Sequence, residues 1–129
     1  MALGSQDAAM ASLLCDRFVR RVAKFERNRD ANLQLLVRFG DEPVHLSVQH
    51  GKVTQARREI KPLTSHDVSI SAAPHVWQRF WESVPAAGDH DIFALTKKGD
   101  MQIQGNLQPF MAHLQFVKDL LAVGRGDAP

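Results

Sequence analysis

The stretch from Lys97 to Leu121 constrains the fold of this chain most strongly. It reads as one late strand, in which Met101 and Ile103 alternate with Gln102 and Gln104. The strand breaks at Gly105 and passes through Asn106, a good N-cap, into a closing helix. At about 100° per residue, Leu107, Phe110, Leu114, Val117 and Leu121 form one apolar stripe, while Phe116, Leu120 and Val123 sit roughly opposite. A helix that faces one sheet needs a single stripe. The second must be covered by neighbouring helices or a second copy of the chain, or must meet an apolar ligand.

Upstream, the periodicity supplies what this helix would close over. From about Asp7 to Arg27, Ala11, Leu14, Cys15, Phe18, Val19, Val22 and Phe25 share one helical face, with Ser5 placed to cap the start. Leu33, Leu35, Val37 and Phe39 then alternate with Gln34, Leu36 and Arg38. After Gly40-Asp41-Glu42-Pro43, Val44, Leu46 and Val48 repeat the pattern, and His50-Gly51 turns the chain into a third strand near Val53. Arg57 to Pro62 reads as a strand end and connection, and Val68 and Ile70 mark a fourth strand.

Pro74 opens a helix at the position where proline is tolerated, with Val76, Trp77, Phe80, Trp81 and Val84 on one face. Asp89 is placed to cap a short helix that turns Ile92, Phe93 and Leu95 inward. The expected fold class is therefore α+β: a mixed five-stranded sheet with helices packed on one face around an apolar cavity. At 129 residues the chain suits one domain, 1–129, with 1–6 and 124–129 expected to be flexible.

Composition excludes more than it selects. No run approaches the roughly 18 apolar residues of a membrane span, and Met1 to Gln6 has neither the basic start nor the apolar run of a secretory signal, so a cytoplasmic protein is expected. The single cysteine, Cys15, has no partner for an internal disulfide and sits on an apolar face as a packed, inert thiol. Six histidines show no i, i+4 pair, so no metal and no cofactor are expected. Asp89-His90-Asp91 falls where a helix start wants acid, which explains it better than acid–base chemistry does.

A net charge of +2 does not by itself imply nucleic acid, and no aromatic stacking platform accompanies the basic residues. Those residues do cluster. Arg17, Arg20, Arg21, Lys24 and Arg27 on the first helix are candidates for docking on an anionic membrane surface, against the plain alternative of a solvated face.

The ordered set Asp67-Val68-Ser69-Ile70-Ser71, an aromatic-rich helix, a short helix, then Gly99-Asp100-Met101-Gln102-Ile103-Gln104-Gly105-Asn106 and an apolar helix resembles the sterol carrier protein type 2 family over roughly Leu33 to Leu121. The resemblance implies an apolar tunnel for a sterol, fatty acid, acyl-CoA or phospholipid, and binding without catalysis. Apolar walls suit such ligands because burying alkyl surface contributes roughly 25 cal/mol per Å². Trp77, Phe80, Trp81, Phe93, Phe110, Met111, Leu114 and Val117 are the candidate walls, although for each taken alone plain core packing is the better explanation. The chain ends in Asp127-Ala128-Pro129, with no peroxisomal address.

Two other classes fit the same pattern. One is an interaction or dimerisation module that uses the final helix. The other is a small cone-shaped enzyme of the ketosteroid-isomerase type, which needs a carboxylate of raised pKa beside an apolar pocket; Asp67 and Asp100 are the nearby candidates.

Overall fold

Alternating apolar residues build the central strand, and the rest of the sheet is registered to it. The structure is a computed structural model that describes residues 2–58 and 66–125. Strand β1 (Leu33–Phe39) pairs antiparallel with β2 (Glu42–Gln49) and parallel with β4 (Val68–Ala72). β2 pairs antiparallel with β3 (Lys52–Arg57), and β4 with β5 (Met101–Gly105), which gives the order β3-β2-β1-β4-β5. Leu35 stands opposite Leu46 on one side and Val68 on the other, so the apolar teeth of three strands share one face. That face carries the core. Gln34, Arg38, Ser69, Ser71, Gln102 and Gln104 occupy the opposite one, where they are at least partly exposed.

The β2–β3 turn is two residues long, with both His50 and Gly51 at positive φ, the conformation whose twist matches antiparallel strands. Parallel pairing of β1 with β4 needs a crossover, and the connection through β2, β3 and residues 58–67 provides it. The expected connection at Lys61-Pro62 lies outside the described residues.

The helices are α1 (Ala2–Val22), α2 (Pro74–Phe80), α3 (Ile92–Lys97), α4 (Leu107–Ala112) and α5 (Leu114–Leu121), with a short 3₁₀ turn over Ala122–Gly124. They contribute Leu14, Phe18, Trp77, Trp81, Leu95 and Val117 to a core shared with the apolar sheet face. The α+β class, the mixed five-stranded sheet and the packing of helices on one face agree with the sequence pattern.

Several boundaries differ from expectation. α1 begins at Ala2 rather than near Asp7, so Ser5 lies inside it instead of capping it, and it ends at Val22. α2 ends at Phe80, which leaves Val84 89% exposed rather than on the buried face. Asp91, not Asp89, occupies the N-cap position of α3. Gly124 is buried and Arg125 is hydrogen-bonded, so the tail is fixed through Arg125; residues 126–129 lie outside the described set.

The closing helix is two helices, not one. His113 interrupts it at φ −122°, ψ 37°. The break falls between Phe110, whose ring meets Phe93 at 6.1 Å, and Phe116, whose ring meets Phe25 at 5.2 Å. Asn106 caps α4 as expected, its side chain accepting from the Gln108 N–H. Just before it, Gly105 sits at φ +117° with Asp67 O only 2.5 Å from where a Cβ would be, so no other residue fits there without a shift.

Candidate functional site

Trp77 and Trp81 stand one helical turn apart at the α2 end of the sheet, and both are buried. Trp77 lies 4.7 Å from Phe39 and 5.6 Å from Trp81, while Phe18 of α1 lies 5.4 Å from Phe39 and 6.0 Å from Trp81. Each indole N–H is satisfied by main chain: Trp77 Nε1 donates to Arg38 O at 2.9 Å, and Trp81 Nε1 to Leu121 O at 2.8 Å. Gly124 packs flat on the Trp81 ring, where a Cβ would come within 2.4 Å of ring carbons. These two tryptophans therefore tie α2 to the sheet and to the end of α5.

The other candidate wall residues gather around α3, α4 and α5. Phe110 and Val117 are buried, Phe93 and Leu114 are half-buried, and Met111 is 53% exposed beside Leu107 at 47%. Phe80 lies between the two groups, edge-on to Trp77 at 6.0 Å. On α5 both apolar stripes are consumed inside the chain, since Phe116 and Leu120 are as buried as Val117 and Leu121. Among the described residues, large apolar side chains stand exposed at Leu107 and Met111 on α4, at Leu13 on α1 and at Val84 beyond α2. The His113 ring, at the joint of the two helices, has its Nδ1 buried with no hydrogen-bond partner.

Clefts among the described residues open at three places of interest. One of about 550 Å³ lies between α1 and the end of α2, floored by Leu14 and Trp81 and rimmed by Arg17, Gln78 and Glu82. A second, of about 290 Å³, lies between the Gly40 turn and Gly99-Asp100. The third, of about 180 Å³, runs between α3 and α5 and includes Phe80, Ile92, Lys118 and Arg125.

The five basic residues do not share one helix, since Lys24 and Arg27 lie beyond the end of α1 at Val22, and they divide into two sets. Arg17 Nη1 donates to Gly124 O at 3.3 Å, and Arg21 Nη1 donates to Val123 O and Arg125 O at 3.0 and 3.1 Å. Cations there answer the unpaired carbonyls that end a helix. Arg27 lies over the Phe25 ring at 4.3 Å and 3.8 Å from Asp119. Arg20 and Lys24 are exposed, with Arg20 Nε donating to Asp16 O. What the sequence offers as one docking face is in good part a clasp on the C-terminal segment.

The carboxylates are engaged. Asp67 Oδ2 accepts from Gln34 N–H at 2.7 Å, which ties the start of β4 to β1. Asp100 pairs with Arg79 at 2.8 Å, and the buried Asp89 with Lys98 at 2.8 Å and Arg79 at 3.5 Å. The hydrogen bond from Lys98 holds the Asp89 carboxyl below the usual range. Burial pushes the Cys15 thiol up to about 11, which makes it a poor nucleophile. Among the described residues no group of three or more His, Cys, Asp or Glu is placed to hold a metal ion, and no helix is long and apolar enough to cross a membrane.

The sequence places Arg125 in a tail expected to be flexible, and its signal there is a basic residue directly after Gly124 at a helix end.

No family model matches the chain, and neither does any curated protein. Solved structures do. A structure titled UbiJ-SCP2 Ubiquinone synthesis protein is 18% identical, with 97% of this chain and 100% of that one covered and a TM-score of 0.50. Sterol Carrier Protein 2 Like 2 from Aedes aegypti is 13% identical, covering 83% of this chain and 94% of that one at a TM-score of 0.55. A double mutant of the sec-alkyl sulfatase PisA1 is 16% identical over 88% of this chain but only 17% of that one, at a TM-score of 0.56. The chain has the fold of sterol carrier protein 2 domains. This is the fold that its motifs imply.

Proposed function

We propose that this protein binds and carries a hydrophobic ligand, with no chemistry of its own. The observation that carries the reading is the fold shared with sterol carrier protein 2 domains, one neighbour being titled a sterol carrier protein and another a ubiquinone synthesis protein. The place we assign to the ligand is the α3–α4–α5 end, walled by Phe93, Phe110, Met111, Leu114 and Val117. There apolar side chains are not all committed to one another, and Leu107 and Met111 lie exposed at the rim. Trp77, Phe80 and Trp81 form its rigid back. Arg20 on α1 and Lys24 just beyond its end are exposed and available to an anionic membrane surface.

The cone-enzyme alternative has less support. It needs a carboxylate held in an apolar pocket, whereas Asp67 and Asp100 are bound to a main-chain N–H and to Arg79. Self-association is the second reading, and the exposed Leu107 and Met111 favour it. Organic extraction of the natively purified protein, followed by mass spectrometry against an unrelated control, tests carriage. A stoichiometric lipid or acyl species absent from the control supports it. An empty extract together with a dimer in sedimentation transfers the α4 surface to self-association.

A further inference from the structure

The cleft between α3 and α5 has an apolar floor of Phe80, Ile92 and Ala122 and a charged rim. Most of that rim is neutralised internally. Lys118 Nζ lies 3.2 Å from Asp91 Oδ1, and Asp119 is met by Arg27 at 3.8 Å and by the Gln115 amide at 2.9 Å. Arg125 is the exception. Its Nε and Nη2 donate to Phe80 O at 3.0 and 2.9 Å, and Nη2 also donates to His90 O at 3.2 Å. The guanidinium carbon sits 4.9 Å from the centre of the Phe80 ring.

Carbonyl dipoles orient a guanidinium without cancelling its charge. Among the described residues no carboxylate forms a salt bridge with Arg125, and Nη1, which carries two of its five N–H donors, makes no hydrogen bond. Burial also disfavours its charged form. A partly desolvated cation that no described carboxylate meets, above an apolar floor, is favoured by an anion that completes it. The Nη1 N–H groups are left to donate a charge-assisted hydrogen bond to an anionic oxygen.

We infer that the α3–α5 cleft receives the anionic head, a carboxylate or a phosphate, of an amphipathic ligand whose apolar part lies against Phe80 and Ile92, with Arg125 as its counter-ion. This inference rests on the carrier reading and narrows it, because a ligand without an anionic head leaves Arg125 unanswered.

Titration calorimetry of the full chain with dodecanoate, dodecyl phosphate and dodecan-1-ol tests it. Both anions are expected to bind on the order of tenfold tighter than the alcohol, the gain of one charge-assisted hydrogen-bonded pair; whichever anion binds tighter identifies carboxylate or phosphate as the head. Arg125→Gln should bring the anions down to the alcohol's affinity and leave the alcohol unchanged. Arg125→Lys, which keeps the charge but loses the fork on Phe80 O and His90 O, should retain most of the preference. Equal binding of alcohol and anions by the wild type overturns the anion site and leaves carriage intact. Equal loss of all three ligands in both variants also overturns it, by assigning Arg125 to holding the two carbonyls. If Arg125→Gln does not fold, the wild-type series and Arg125→Lys decide the matter alone. Failure of all three ligands to bind the wild type removes the carrier reading together with this one.

Discussion

Around Trp77 and Trp81 each ring touches at least two others and both indole N–H groups end on main-chain carbonyls. Around Phe93 and Phe110, by contrast, two rings meet as one pair while Leu107 and Met111 stand in water. The first region has used its polar and apolar valences to fix α2 against the sheet and the end of α5, so a guest there would have to displace native contacts of equal quality. The second has exposed apolar area at Leu107 and Met111 beside a helix break at His113, and a cation, Arg125, that no carboxylate among the described residues meets. On the proposed reading, rigidity and receptivity are separated along the helical layer, and Phe80 is shared by both.

The largest effect expected from this contrast is at Trp81. Trp81→Ala should cost about 3–5 kcal/mol in denaturant unfolding, because it empties a core ring and frees Leu121 O and Gly124. A loss well below 1 kcal/mol would place the tryptophans outside the rigid region. Gly105→Ala comes next. Its φ of +117° and the close approach of Asp67 O predict a loss of at least about 1 kcal/mol, read as a lowered midpoint at unchanged m-value.

A smaller, pH-dependent effect belongs to Asp89. Its folded pKa is depressed, chiefly by the Lys98 hydrogen bond, so its stabilisation is present above the unfolded Asp value of about 3.9 and fades as pH falls below it. Asp89→Asn should therefore be less stable than wild type at pH 7, and the two should converge on acidification below pH 4. A gap that persists in acid would assign the loss to packing. The smallest stability effect is reserved for the receptive end: Leu107→Ser with Met111→Ser should change stability by no more than about 0.5 kcal/mol per site while weakening dodecanoate binding. Destabilisation comparable to Trp81→Ala would erase the contrast.

Much of the rigid half could be read from the sequence, because its signals are periodic. Leu33, Leu35, Val37 and Phe39 announce a strand by alternation, and Pro74 and the Val76–Trp77–Phe80 spacing announce α2. The receptive half was less legible, since its features are tertiary. His113 carries no breaker chemistry; the helix parts there between Phe110 and Phe116, which meet different rings. Arg17 and Arg21 look like solvated surface until the end of α5 arrives beside them. Arg125 gains meaning only from Phe80 O and His90 O, 45 and 35 residues upstream.

Hydrogen–deuterium exchange of the full chain with and without saturating dodecanoate tests the placement of the ligand most directly. The account predicts slowed exchange of amides in α3, α4 and α5, with α2 unchanged because it is already held. Protection confined to α2 and the neighbouring end of α1, or no change at any amide under saturating ligand, would contradict it.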